Sequence, residues 1–169
     1  MKKNSIEVKL KHYADEYEDE VLKDIISFWK THNCEPSKEE ASEDLKHWTS
    51  KGHLLFLIFA DDYMCGFVHL GSRGAKIDWL EDIFVRAEYR GKGIGSQAIE
   101  WIWEYIRRQG LETLYLEVVP ANIEAIRLYH KLGFTNLNTL TLNRSVKKKE
   151  MIGEETIYGF IFKTYLPNK

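Results

Sequence analysis

The feature that most constrains this chain is a glycine-rich turn between a predicted strand and a predicted helix. The strand covers residues 77–85, the helix covers about 93–109, and residues 90–95 read RGKGIG. Glycine has no Cβ, so the backbone can turn tightly there and approach a ligand closely. The unpaired N–H groups of the first helical turn then point at one spot, with the positive end of the helix dipole behind them. This arrangement predicts a phosphate-binding site.

The spacing of the glycines excludes two common phosphate-binding motifs. A Walker loop needs GxxxxGK followed by Ser or Thr, and the sequence contains no such string. The dinucleotide fingerprint GxGxxG would need its third glycine one residue after Gly95. That fingerprint also belongs to an opening βαβ unit, whereas this turn lies far down the chain.

The rest of the chain alternates between strand and helix patterns. Residues 53–60 form a continuous apolar run typical of a strand buried on both faces. The acidic pair 61–62 makes a hairpin turn after it, and residues 37–40 match a capping box. These patterns predict one α/β domain with a mixed sheet over residues 1–169. The predicted strands are 6–10, 53–60, 63–70, 77–85, 114–119, 134–142 and 156–166, and the predicted helices are 15–30, 37–50, 93–109 and 122–132.

Composition narrows the class of protein. The chain has 169 residues, 44% hydrophobic and 30% charged, as expected of one folded domain. A net charge of −2 gives no basic field that would recruit nucleic acid. Cys34 and Cys65 are the only cysteines, and without a CxxC or His/Cys cluster no metal site is predicted. No apolar run suits a signal peptide or a membrane span, so we expect a cytoplasmic protein without a membrane partner.

Two segments in the right order resemble a known family. The turn at 90–95 is similar to the [RQ]xxGx[GA] signature of GNAT acetyltransferases, which cradles the pyrophosphate of acetyl-CoA. Asn122 and the run AIRLYHKLGF at 125–134 resemble the second signature, an asparagine followed by A-x-x-x-Y-x-K-x-G-F. The order of strands and helices also matches that family. Ala87 departs from it, because family members often have proline there, and nothing after Asn136 matches.

The resemblance implies a fold, a reaction and a site. The fold is a mostly antiparallel central sheet with a splayed strand pair that binds acyl-CoA, flanked by about four helices. The reaction is transfer of acetyl from acetyl-CoA to a primary amine by direct attack in a ternary complex, with a homodimer left open. Tyr129 would protonate the departing thiolate, and seven residues of spacing place it on the helix face of Asn122. The implied cofactor-binding residues are Ile83, Phe84, Val85, Arg90, Gly91, Lys92, Gly93, Ile94, Gly95, Ser96, Asn122 and Tyr129.

A base must take a proton from the amine, since an alkylammonium has a pKa of about 10.4. Glu81 is the first candidate, because family members often carry a carboxylate on this strand. A regular strand places Glu81 with Trp79 and Ile83 and puts Asp82 on the opposite face, whereas a β-bulge would favour Asp82. Glu117 and a chain of waters remain open. Backbone N–H groups near the end of the strand, at 84–85, would stabilise the oxyanion.

The acceptor is left open by the sequence. Residues 15–46 carry eleven acidic side chains against four lysines, which would favour a cationic acceptor such as a polyamine, an aminoglycoside or a peptide amine. A solvated outer helix face explains the same charges. Lys147, Lys148 and Lys149 are predicted to form an exposed hairpin loop. Two other readings stay open, namely a non-catalytic acyl-CoA sensor or partner module, and an unrelated phosphate-binding protein.

Overall fold

The computed structural model describes residues 6–144 and 151–165, and the chain divides into two compact units. The first unit covers residues 1–117 and the second covers 118–169. Through the end of the last helix, the observed strands and helices follow the predicted order. Across the described ranges, no helix is both long enough and apolar enough to cross a membrane.

The first unit is built on a five-stranded mixed sheet. Neighbouring strands from β1 to β4 are antiparallel, and β5 joins β4 in parallel, which confirms the predicted mostly antiparallel sheet. The centre of the sheet is apolar on both faces, since residues 55–60 are all buried. The strands in sheet order are β1 Val8–His12, β2 His53–Ala60, β3 Tyr63–Ser72, β4 Ile77–Val85 and β5 Tyr115–Leu116.

Two helices cover one face of this sheet, because each has an apolar stripe. Helix α1 (Glu18–Thr31) follows a single 3-10 turn, and helix α2 is Lys38–Trp48. Their buried side chains form one cluster with residues of β2, β3 and β4. The predicted capping box is confirmed: the Glu40 N–H donates to Ser37 Oγ at 3.1 Å, and the Ser37 N–H donates to Glu40 Oε2 at 2.7 Å.

Helix α3, Ile94–Arg108, carries a second apolar stripe that packs on the opposite face. The ring of Phe56, on β2, lies 5.4 Å from that of Trp101 and 5.1 Å from that of Tyr105. Gly110 terminates the helix as predicted. Its φ of 77° lies in a region that residues with a Cβ rarely adopt. The buried residues of the stripe, spaced three or four apart, are Ile94, Ala98, Ile99, Ile102 and Ile106.

Strand β4 departs from a regular strand in two ways that shape the site. Asp82 lies opposite His69 and Leu80 lies opposite Leu70, so Glu81 is an extra residue and forms a β-bulge. Strands β4 and β5 also pair at only two positions, Trp79 with Tyr115 and Leu80 with Leu116. Beyond those positions β4 has no strand partner on that edge among the described residues, which is the splay implied by the resemblance.

The second unit begins with helix α4, Ile123–Lys131, which is capped at both ends. Asn122 is its N-cap, outside the helical conformation, with Oδ1 accepting the Ala125 N–H at 3.2 Å. The shared face of Asn122 and Tyr129 stays a prediction, since Asn122 caps the helix one residue before it begins. The amide group of Asn122 still has its Nδ2 donors available for another partner.

The remainder of the second unit corrects the predicted strands of the tail. Residues 134–142 contain no strand, and their leucines 137, 140 and 142 are exposed. An alternating run becomes a strand only when a neighbour accepts its backbone hydrogen bonds, and none of the described residues does so. The predicted strand 156–166 is instead the end of a hairpin. Its strands β6 (Met151–Ile157) and β7 (Phe160–Tyr165) are joined by Tyr158 and Gly159, both at positive φ. The three lysines 147–149 and Leu166 lie outside the described residues.

Candidate functional site

The glycine turn has the geometry of an anion site. Gly91 and Gly93 have φ of 72° and 78°, a region that residues with a Cβ rarely adopt. Gly93 is the N-cap of α3, and no side chain caps it. The N–H groups of the first helical turn, at 94–96, therefore have no intrahelical partner. A Cβ added at Gly91 or Gly93 would meet nothing within 4 Å, so the glycines are set by the backbone conformation and not by crowding from the protein.

Arg90 ties this turn to the end of β4. Its Nε donates to the Val85 carbonyl at 2.7 Å, and its guanidinium lies 5.5 Å from the centre of the Phe84 ring. Residues 87–89 between them form a 3-10 turn, and Arg86 before it is extended, with ψ of 144°. Ala87, where family members often have proline, thus begins the same kind of turn that a proline would favour. Lys92 is exposed, and its ammonium lies 5.3 Å from the centre of the Tyr89 ring.

The edge of β4 that has no strand partner carries the predicted pantetheine-binding residues. Phe84 is buried in the α1/α2 cluster, while Ile83 and Val85 are half-buried. Along a strand, alternate N–H and C=O groups face each edge. The segment 83–85 can therefore offer backbone hydrogen bonds to an extended ligand arm and to an oxyanion.

Two of the predicted bases are engaged by one arginine. Arg73 Nε and NH2 donate to the two carboxylate oxygens of Glu81 at 3.2 and 2.9 Å, and NH1 donates to Glu117 at 2.7 Å. The guanidinium lies 3.8 Å from the centre of the Trp79 ring. These carboxylates raise the pKa of Arg73, so the arginine stays charged. Glu81 remains a predicted base, but its oxygens already accept hydrogen bonds from a permanent cation.

Asp82, the base that a bulge would favour, lies at one end of a series of hydrogen bonds that runs through His69 to His53. Asp82 Oδ2 lies 2.8 Å from His69 Nδ1, and His69 Nε2 lies 2.9 Å from His53 Nδ1. His69 is 3% exposed and stacks on Trp48 at 4.7 Å between ring centres, while His53 is half-buried. Burial lowers the pKa of His53, and neighbouring His69 and His47 lower it further. Within the described ranges, no group of three such side chains is placed to hold a metal ion.

Sequence reasoning missed both histidines, because their pairing depends on bulges in the strands. His53 and His69 lie on paired strands whose register sets His53 opposite Gly71 and His69 opposite Leu55. The two histidines are thus diagonal neighbours on one face of the sheet. The bulge at Glu81 then brings Asp82 opposite His69. Counted evenly from the turn at 61–62, the two strands would set the histidines on opposite faces. An extra residue in β3, Cys65, shifts the register and brings them to one face, and neither this bulge nor the one at Glu81 was visible in the sequence.

Tyr129 lies in the second unit, and the cap of α4 fixes its position there. The Phe134 N–H donates to the Tyr129 carbonyl at 3.1 Å and the Gly133 N–H donates to the His130 carbonyl at 3.1 Å, which together form a Schellman motif. The rings of Tyr129 and Phe134 pack edge to face at 5.9 Å. Burial raises the pKa of Tyr129, so its hydroxyl stays protonated at neutral pH and can donate a proton. The glycine and phenylalanine of the second signature therefore hold its tyrosine.

The acidic stretch 15–46 is partly structural. Asp24 is almost fully buried and accepts a 2.8 Å hydrogen bond from Arg86, which joins α1 to the end of β4. Four further carboxylates bond within the fold, so fewer charges remain for an acceptor than the sequence count suggests. Those four are Glu20 with Arg86, Asp19 with Lys38, Glu40 with Ser37 and Asp44 with Trp29.

Known proteins resemble this chain in sequence and in fold. A thialysine N-epsilon-acetyltransferase from Bos taurus is 44% identical over 59 residues, 35% of this chain and 35% of that protein. A spermine/spermidine N(1)-acetyltransferase from Bacillus subtilis (strain 168) is 32% identical over 75 residues, 43% of this chain and 49% of that protein. The structure of AAC(6')-Iy, in complex with the bisubstrate analogue CoA-S-monomethyl-acetylneamine, matches with a TM-score of 0.67 at 18% identity, covering 82% of this chain and 98% of that one.

These similarities differ in what they establish. The chain spans less than half the length of either sequence relative, and the structural match shows the fold. The sequence model of the acetyltransferase (GNAT) family matches residues 18–134, which is more than two thirds of the chain. That range includes the bulged strand, the glycine turn, and Tyr129 with its cap. The chain therefore belongs to the GNAT acetyltransferase family.

Proposed function

We propose that this protein transfers an acetyl group from acetyl-CoA to a primary amine by direct attack in a ternary complex. The observation that carries the proposal is the N-terminus of α3, which no side chain caps and which follows two glycines at positive φ. A helix N-terminus of this kind binds phosphate through its N–H groups and its dipole. The solved AAC(6')-Iy complexes hold CoA or a CoA analogue, which supports the same co-substrate here.

The residues of the turn and strand divide the binding of acetyl-CoA between them. The N–H groups of Ile94, Gly95 and Ser96, with the charges of Arg90 and Lys92, suit the pyrophosphate. The free edge of β4 at 83–85 suits the amides of the pantetheine arm. Asn122 Nδ2 and Tyr129 are the residues of the second unit that the proposal assigns to the co-substrate. Because the family model crosses the boundary between the two units, we propose that residues 1–169 work as one catalytic domain.

The chemistry needs one proton acceptor and one proton donor. The amine must lose a proton before its lone pair can attack the thioester carbonyl. On the accepting side, Arg73 engages Glu81 and Glu117 but not Asp82, which lies 2.8 Å from His69, so Asp82 is the predicted carboxylate best placed to support the accepting group. Tyr129 suits the donating side, because partial burial raises the pKa of its hydroxyl, which keeps its proton at neutral pH. Backbone N–H groups at 84–85 would stabilise the oxyanion.

An amine acceptor is supported by the relatives' names more than by the charge of this chain. Thialysine, spermine and spermidine are the amine substrates named for the relatives, and all are cationic at neutral pH. Six of the eleven acidic side chains at 15–46 lie outside the structural contacts described above and could favour such an acceptor. We therefore propose a cationic alkylamine such as a polyamine, an aminoglycoside or a peptide amine.

A thiol-release assay tests the proposal. Purified protein is mixed with acetyl-CoA and a panel of polyamines, aminoglycosides and lysine-containing peptides, and free CoA thiol is measured together with the mass of each acceptor. We expect amine-dependent thiol release and a gain of one acetyl group on at least one acceptor. Tight binding of acetyl-CoA without transfer to any amine would instead support a non-catalytic acyl-CoA sensor. Absence of acetyl-CoA binding would contradict both functions.

A further inference from the structure

The hydrogen-bonded chain from Asp82 through His69 to His53 crosses three strands of the sheet. Asp82 is on β4, His69 is on β3 and His53 is on β2, and the two contacts measure 2.8 and 2.9 Å. The inner histidine is almost fully buried and lies against the Trp48 ring, whereas the outer one is only half-buried. Asp82 directly precedes the strand end proposed to bind pantetheine. The chain therefore connects the strand end proposed to bind pantetheine with the half-buried His53, whose ring lies 4.3 Å from that of His47 on α2.

The direction of these hydrogen bonds follows from the chemistry of the groups. A carboxylate only accepts, so His69 must carry a proton on Nδ1 and, when neutral, has an acceptor at Nε2. His53 must then donate from Nδ1 to His69 Nε2. A neutral His53 is left with the lone pair of its own Nε2, which has no hydrogen-bond partner among residues 6–144 and 151–165. One carboxylate thus sets the tautomers of two rings.

We propose that His53 accepts the proton that the acceptor amine loses, and that His69 and Asp82 are positioning residues for it. The inference rests on the proposed acetyl transfer. The ammonium N–H bond breaks and a bond from that proton to His53 Nε2 forms, directly or through a water. The Nδ1 proton of His53 can then move to His69 Nε2, which places the positive charge beside the Asp82 carboxylate. No electrons are exchanged, and the proton returns to solvent by the reverse steps.

The surroundings of His53 favour its neutral, accepting form. The charged or titratable groups that face it are His47 on α2, His69 on β3 and Glu81 on β4. Burial is the largest effect and lowers the pKa of His53 below 6.5, and the two histidines act in the same direction against Glu81. His53 is therefore neutral at pH 7. Activity should fall as the pH drops through the pKa of His53, below 6.5, because protonated His53 can accept nothing.

Steady-state kinetics of His53→Gln with the best alkylamine test the role of the outer histidine. We expect kcat at pH 7 to fall about 100-fold, the usual contribution of a positioned base, and the acidic limb of the pH profile to disappear. With an aromatic amine, whose nitrogen is already neutral at pH 7, the kcat of His53→Gln should fall much less. His47→Gln is the matched control, because its exposed ring lies 4.3 Å from that of His53 but makes no hydrogen bond in the chain. Equal losses with both amines would overturn the proposal.

Nitrogen-15 NMR of the histidine rings gives a readout that does not depend on turnover. We expect His53 and His69 of the free wild-type protein to carry their protons on Nδ1. In Asp82→Asn the amide can donate to His69 Nδ1, which should move the proton of His69 to Nε2 and lower kcat while acetyl-CoA affinity stays unchanged. Protons on Nε2 in the wild type, or an unaltered kcat in a folded Asp82→Asn protein, would overturn the relay. A wild type that acetylates no amine would instead remove the proposed function and the relay with it.

Discussion

Gly93 and Gly110 share one backbone conformation, with φ of 78° and 77°, at opposite ends of α3. The added Cβ of any substitution meets nothing within 4 Å at either position, so the two sites differ only in the end of the helix they occupy. Comparing the same substitution at both glycines therefore separates its backbone cost from its effect on phosphate binding.

We expect Gly93→Asp to weaken acetyl-CoA binding by about 3 kcal/mol or more, which is roughly 100-fold. An aspartate there repels phosphate and can bond the N–H groups that the phosphate would use. Calorimetric titration with acetyl-CoA measures the change. Gly110→Asp carries a similar backbone cost and should keep wild-type affinity. Retained affinity in a folded Gly93→Asp protein would show that the turn does not bind the pyrophosphate.

Tyr129→Phe tests the proposed proton donor by removing one hydroxyl and keeping the ring against Phe134. We expect kcat to fall by roughly 100-fold or more, the usual contribution of a positioned acid. Acetyl-CoA affinity should change by less than ~1.5 kcal/mol, the scale of one hydrogen bond. Tyr158→Phe, at an 83% exposed position in the same unit, is the control and should leave both values unchanged. An unaltered single-turnover rate in Tyr129→Phe would exclude the role.

At the scale of elements, the end of α4 explains why the second signature ends in glycine and phenylalanine. Gly133 has φ of 91°, which lets the Schellman motif close and brings Phe134 against Tyr129. We expect Gly133→Ala to lower the free energy of unfolding by about 1 to 2 kcal/mol, the cost of a Cβ at positive φ. Denaturant titration measures it. Gly74→Ala, at a glycine without positive φ and with open space around it, should change stability much less.

Some elements could be predicted from local sequence patterns alone, whereas others depend on a neighbouring strand. The capping box of α2, the hairpin turn at 61–62, and the strand 77–85 were predicted correctly, because each depends on residues a few positions apart. The strand predicted at 134–142 was wrong, because alternation alone provides no neighbouring strand. The turn at Tyr158–Gly159 was missed, because only the glycine of the pair is a typical hairpin residue.

At the scale of the whole molecule, a ligand that binds only the folded chain must stabilise it. We expect acetyl-CoA at ~100-fold above its Kd to raise the free energy of unfolding by about 2.7 kcal/mol. NAD and ATP should stabilise much less, since the glycine spacing suits neither a dinucleotide fingerprint nor a Walker loop. Thermal unfolding with each ligand at matched concentration makes the comparison. Equal stabilisation by NAD would contradict acetyl-CoA as the co-substrate.

By itself the sequence determined the mixed fold, the glycine turn before α3 and the capped helix that carries Tyr129, because all of these depend on local spacing and glycine conformation. The tertiary structure decided what the carboxylates do. Glu81 is hydrogen-bonded to Arg73, and Asp82 is aligned with His69 and His53, because bulges in β3 and β4 set the register of three strands. Register is a property of paired strands and not of any one segment, so only the folded sheet could bring these side chains together.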